Sequence, residues 1–114
     1  MTLNEYQEKA RAFRIPTLKC WKSIDRAVDY CALGINEEAG EIAGKVKKTI
    51  RDCGENYSPE VLEAIALEAG DVCWYLATLA DVIGYTFEDF CKMNLTKLED
   101  RKNRGVLQGN GDNR

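Results

Sequence analysis

The sequence predicts an all-α fold, and three observations carry that expectation. Apolar residues recur at spacings of three and four over long stretches, no segment alternates with period two as a strand does, and helix-start and helix-stop residues fall at the joints. A first helix is expected over Thr2 to Arg14, stopping before Pro16. A long second helix runs from about Ser23 to about Asp52, and Cys53-Gly54-Glu55-Asn56-Tyr57 follows as a loop. Ser58 then stands as an N-cap and Pro59 at the first helical position of a third helix that continues to about Ile83, with Gly84 near its end. Thr86 caps a fourth helix reaching about Arg104. The last ten residues, GVLQGNGDNR, hold three glycines and no helical stripe. Residues 1–105 therefore read as one domain and 106–114 as a flexible tail.

At 114 residues, with 45% apolar and 31% charged side chains, the chain suits one core and is unlike a disordered sequence. A net charge of -3 argues against a nucleic-acid polymer as partner. Histidine is absent, which removes the commonest general base and nitrogen metal ligand, so acid-base or metal chemistry must come from carboxylates. The five cysteines, Cys20, Cys31, Cys53, Cys73 and Cys91, are odd in number and at least 11 positions apart, which fits reduced thiols. The opening MTLNEYQEKARAF is charged and lacks the apolar region of a secretory signal, so a cytoplasmic setting is expected. Val61 to Ile83 is 17 of 23 apolar, yet Glu63, Glu68, Asp71 and Asp81 interrupt it, and acids at such positions are costly in lipid. A buried helix is expected there, not a membrane span.

The second helix carries a stripe of Val28, Ala32, Ile35, Ala39, Ile42, Val46 and Ile50. At 100° per residue, Glu38, Lys45 and Glu41 fall to one side, at roughly 300°, 280° and 240° from Ile35. In the third helix Val61, Ile65, Val72, Leu79 and Ile83 define an apolar face with Glu68 at its centre and Asp71 one turn away. An unpartnered buried carboxylate costs several kcal/mol. From Asp52 to Cys91 there are nine acids and no Lys or Arg, so intrahelical pairs cannot neutralise Glu68 or Asp71. Compensation must come across helices, either from lysines such as Lys45 or Lys47 or from a bound ion. Glu38-x-x-Glu41 and Glu68-x-x-Asp71 on two antiparallel helices can bring four carboxylates to one point, and an all-oxygen set suits Mg²⁺ or Mn²⁺. Cations flank these acids: Lys45, Lys47, Lys48 and Arg51 follow the first pair, Lys92, Lys97, Arg101, Lys102 and Arg104 the second, and the neutral Asn94 shares one face of the fourth helix with Lys97, Arg101 and Arg104. A cation set beside a metal site is what a polyphosphate needs.

Glu37-Glu38-Ala39-Gly40-Glu41, then 26 residues, then Glu68-Ala69-Gly70-Asp71, resembles the EExxE…ExxD signature of MazG-type nucleotide pyrophosphohydrolases. Asp71-Val72-Cys73-Trp74-Tyr75-Leu76, Asn94-x-x-Lys97-Leu98-x-x-Arg101 and Arg104-Gly105 extend the likeness, which covers about Leu33 to Gly105. The resemblance implies a four-helix core completed by association into a homodimer or homotetramer. It implies Mg²⁺ (or Mn²⁺) held by Glu38, Glu41, Glu68 and Asp71, with Glu37, Glu38 and Glu41 serving catalysis. The implied reaction cleaves a nucleoside triphosphate between its α and β phosphates, giving a monophosphate and pyrophosphate in nucleotide house-cleaning or pool control. Lys45, Lys97, Arg101 and Arg104 would then meet phosphates, Asn94 phosphate or sugar, Tyr75 the nucleoside, and Trp21 the base. Two other readings stand beside it: a non-catalytic helical interaction module, and a relative acting on phosphoribosyl-ATP.

Overall fold

The computed structural model describes residues 1–16, 18–54 and 56–114, with Lys19 and Cys20 described by backbone alone. Glu55, one of the nine acids of the cation-free stretch, and the Cys20 side chain lie outside the described residues. Four α-helices follow in order: α1 Leu3–Ala10, α2 Ile24–Cys53, α3 Pro59–Val82 and α4 Phe87–Asn103. Short 3-10 turns at Arg11–Phe13 and Lys19–Lys22 join α1 to α2, and no strand occurs among the described residues. The fold is all-α.

The helix ends lie where capping chemistry puts them. Thr2 and Thr86 each form a capping box, with Glu5 and Asp89 respectively returning a hydrogen bond to the cap backbone. Ser23 and Ser58 accept from the amides of Arg26 and Val61, and Pro59 opens α3 at the position where its missing N–H costs nothing. Gly54 ends α2 in the left-handed conformation, φ 59°. The expected first helix is shorter than read, because its last turn tightens into the 3-10 segment before Pro16.

α2 and α3 pack antiparallel as the body of the molecule, and α1 lies against α3 and the start of α4. Along α2, Gly34, Glu38 and Lys45 meet Tyr75, Glu68 and Asp71 of α3, and the buried Ala27, Cys31 and Thr49 lie on the same line. That line is rotated by roughly 90° from the stripe Val28 to Ile50. The stripe is therefore only partly covered, with Ala32, Ala39 and Ile50 exposed. Large apolar side chains also stand free on the other helices, Leu62 and Leu67 on α3 at 53% and 66% exposure, Leu95 on α4 at 65%. The radius of gyration is 17.1 Å, against about 13 Å for a compact chain of this length.

Asp81 ties α1 to the end of α3. It accepts from Gln7 Nε2 at 2.6 Å, from Arg11 through two nitrogens at 2.8 Å each, and from Arg14. Gln7, itself buried, also accepts from the Phe87 amide at 2.7 Å and so reaches the first turn of α4. Burial raises the Asp81 carboxyl, but the hydrogen bonds from Arg11, Arg14 and Gln7 outweigh it and hold the group below its ordinary value. The unfolded chain thus binds the proton more tightly, and this stabilisation, complete above the usual carboxylate range, is lost as pH falls through the lowered value. Asp81→Ala is expected to cost about 1–2 kcal/mol at pH 7 by stranding these donors, and to cost progressively less under acid, as urea denaturation at several pH values would read. A cost independent of pH would refute the role given to the charge.

Candidate metal centre

Two helices bring the acids together. Because α2 and α3 run antiparallel, one turn of α2 meets one turn of α3, and one carboxylate oxygen from each of Glu38, Glu68 and Asp71 lies within 4.8 Å of the other two. Glu38 and Glu68 are half-buried between the helices and Asp71 is exposed at their edge. Burial raises the Glu38 carboxyl above its ordinary value, and the neighbouring charges of Asp71, Glu37, Glu68 and Glu41 raise it further. No ion pair neutralises Glu38 or Asp71 among the described residues. Glu68 Oε1 is met by Lys45 Nζ at 2.8 Å, and that hydrogen bond outweighs burial, raises the lysine pKa and keeps it cationic. The cross-helix lysine and the acid cluster, read from sequence as competing explanations of Glu68, coexist here. Crowded carboxylates with one protonated lysine, and no cysteine in the group among the described residues, suit a hard divalent cation.

Glu41 is exposed and outside this three-residue group, one turn further along α2 towards Lys45. Glu37 is exposed beside Glu38. Tyr75, one turn after Asp71, lies flat over Gly34: a Cβ built on that glycine would come within 2.2 Å of Tyr75 Cε1. Burial pushes the Tyr75 hydroxyl up to about 12, helped by hydrogen bonding with Tyr30 and by the charges of Glu38 and Glu37. Trp21, held by its Nε1 donating to the Ile15 carbonyl at 3.0 Å, packs edge-on to Tyr30 with centroids 5.4 Å apart. Tyr30 in turn contacts Tyr75 at 6.1 Å, and Tyr75 meets Trp74 at 4.9 Å. The structure thus joins the two aromatic positions read from sequence, Trp21 and Tyr75, through Tyr30, which the sequence did not single out.

On the other side of Asp71 an open cavity of about 520 Å³ is lined by Tyr6, Phe13, Ala66, Leu67, Gly70, Asp71 and Trp74. Trp74 is fixed by donating to the Ala10 carbonyl at 3.1 Å. Tyr6 and Phe13 come from the N-terminal segment, some 60 positions from Asp71, and no local pattern pointed to them.

The α4 candidates are placed differently. Asn94, Lys97 and Arg104 are exposed and Arg101 is buried, and among the described residues none of the four bonds to the acid cluster. Lys97 and Arg101 face Asp112, and Arg104 pairs with Asp100 at 2.7 Å. Among the described residues, the chain does not join α4's cations to the carboxylates.

Residues 28–106 match the family described as the MazG nucleotide pyrophosphohydrolase domain. The "Gene 37 protein" of Mycobacterium phage L5 is 45% identical over 87 residues, covering 76% of this chain and 76% of that protein. No solved structure matches the chain. The converging carboxylates of α2 and α3 and the cationic face of α4 all fall within the matched span, and the chain belongs to the MazG nucleotide pyrophosphohydrolase family.

Proposed function

We propose that this protein is a Mg²⁺-dependent nucleoside triphosphate pyrophosphohydrolase that cleaves between the α and β phosphates of a nucleotide, releasing a monophosphate and pyrophosphate. The observation that carries the reading is the meeting of Glu38, Glu68 and Asp71 within 4.8 Å across two helices, two of the three without a cationic partner among the described residues. These three acids would hold the ion, with Mn²⁺ as a substitute, and Glu41 would join them. A bound Mg²⁺ neutralises phosphate oxygens and the charge developing on the leaving pyrophosphate. Glu37 and Glu38 orient the attacking water and take its proton, a role open to carboxylates in a chain without histidine. Lys45, already beside Glu68, turns to a substrate phosphate. Tyr75 and Trp21 hold the nucleoside and base along the aromatic row through Tyr30.

Self-association belongs to the same reading. A protomer wider than a compact chain, with Leu33 at 71% exposure on α2 and Leu62 and Leu67 exposed on α3, needs a second copy to cover its apolar faces. A homodimer or homotetramer also gives Asn94, Lys97, Arg101 and Arg104 a route to an acid cluster. The test is pyrophosphate release across canonical and modified nucleoside triphosphates and phosphoribosyl-ATP, with Mg²⁺ and with chelator. Release from at least one nucleoside triphosphate that stops with chelator is expected. No release from any of them, with a melting temperature indifferent to Mg²⁺, rejects the reading in favour of a non-catalytic helical module.

A further inference from the structure

Arg101 is an outlier on α4. From Lys92 to Asn103 every other side chain is exposed, yet the Arg101 side chain retains only 6% of its surface. The cover comes from the segment that follows. At Gly105, φ 72°, the chain reverses: the Val106 amide donates to the Arg101 carbonyl at 2.9 Å and the Gly105 amide to that of Lys102 at 3.0 Å. Residues 107–114 then fold back over the end of α4. Arg114 staples this loop by donating to the Gly111 carbonyl at 2.6 Å, and Arg104 donates to the main-chain oxygen of Arg114 at 2.7 Å.

This fold-back sets Asp112 on the cations of α4. Arg101 donates to the Asp112 main-chain oxygen at 2.8 Å, and the Asp112 carboxylate lies 3.5 Å from the same guanidinium and 3.9 Å from Lys97 Nζ. The carboxylate is 91% exposed, so it is held weakly. Arg101 Nε is buried with no hydrogen-bond partner. A buried guanidinium donor left unused beside a loosely held carboxylate is a site whose present occupant satisfies it incompletely. A phosphate group brings more oxygens and more charge to the same cations than one carboxylate does.

We propose that residues 105–114 act as an internal competitor, with Asp112 occupying the Lys97–Arg101 anion site and yielding it to the phosphates of a polyphosphate ligand. The proposal rests on the reading of Lys97 and Arg101 as phosphate-binding groups, and it makes the segment a brake on that site. Gly109 and Gly111 hold positive φ, 122° and 86°, a conformation glycine adopts without steric cost, in the turn that returns Asp112 to α4.

The test is calorimetric binding of inorganic pyrophosphate without divalent metal, which keeps the acid cluster out of the measurement. Asp112→Ala is expected to tighten binding by about threefold, and a chain ending at Gly105 by about tenfold, in line with the release of one or a few exposed charge contacts. Adding Arg101→Gln to either variant is expected to erase the gain. Affinity unchanged or weakened in both variants, or no pyrophosphate binding by any of them, overturns the proposal. The point variant leaves Gly105 and its reversal in place, so it reports even where the shortened chain fails to fold. If no nucleoside triphosphate is hydrolysed while the gain on loss of Asp112 persists, the brake stands and the hydrolase reading falls. Turnover with no such gain removes the brake and leaves the hydrolase reading standing.

Discussion

Glu38→Gln is expected to lower turnover by at least about a thousandfold, the equivalent of about 4 kcal/mol in transition-state stabilisation, while raising the melting temperature of the metal-free protein at pH 7. Both effects come from one cause. Glu38 stands half-buried against Asp71 and Glu68 with no cation paired to it among the described residues, and its carboxyl is raised by burial and then by those neighbours. A group raised on folding binds its proton more tightly in the folded protein than in the unfolded chain. Stability therefore falls as pH rises from the ordinary carboxylate value through the raised one, and the penalty is complete at neutral pH. Glutamine keeps the shape and removes the penalty. The gain is expected at pH 7 and absent below about pH 4, where the unfolded chain is also protonated. Glu68→Gln should lose turnover to the same degree with the opposite sign in stability, because it strands Lys45, now 2.8 Å from Glu68 Oε1. Mg²⁺ should raise the melting temperature of the parent chain and of neither variant. Retained turnover in Glu38→Gln, or destabilisation by it at pH 7, would show that the carboxylate is a structural partner and not part of a metal centre.

The contrast between these two acids also marks how far the sequence could be read. The helices were legible because their signals are local: Ser23, Ser58 with Pro59, Gly54 and Thr86 each act within a turn of themselves. The approach of Glu38 to Glu68 and Asp71 was legible because Glu68 sits at the centre of an apolar stripe within a long stretch without cations, an arrangement that requires an answer from another helix, whereas Glu41, expected with them, stands outside the group. The face of α2 that meets α3 was not. It is built of Ala27, Cys31, Gly34 and Thr49, small residues with little hydropathic contrast, while the stronger pattern of Val28, Ile35, Ile42 and Val46 points about a quarter turn away. Hydropathy ranks surfaces by how much they gain from leaving water, whereas close helix approach is decided by how little they protrude. The link from Gln7 to Asp81, 74 positions apart, and the placing of Tyr6 and Phe13 beside Asp71 depend on how α1 docks, which no local pattern encodes. The segment after Gly105 read as a tail because its hydrogen bonds run from arginine side chains to main-chain oxygens, which leave no periodic trace.

That same small-residue face gives the second large effect. Gly34→Ala is expected to destabilise the protein by about 2 kcal/mol, a fall in melting temperature of roughly 8 °C or more. Helix propensity alone predicts the reverse, since alanine is favoured over glycine inside a helix by about 1 kcal/mol. Space decides the sign. The Cβ would lie 2.2 Å from Tyr75 Cε1 and 2.4 Å from Cζ, and the ring cannot slide aside freely because Tyr30 and Trp74 pack on it. Either α2 and α3 separate or Tyr75 leaves its place, and overpacking of this kind costs more than propensity returns. A double-mutant cycle isolates the overlap: in a Tyr75→Ala background the space is open, so adding Gly34→Ala should be neutral or stabilising. An equal cost in both backgrounds would reject contact with Tyr75 as the cause. Because Tyr75 stands one turn from Asp71 and next to Tyr30, its displacement should also raise KM for the nucleotide more than it lowers kcat, since the carboxylates of α2 and α3 would still meet while the aromatic row from Trp21 lost its inner member.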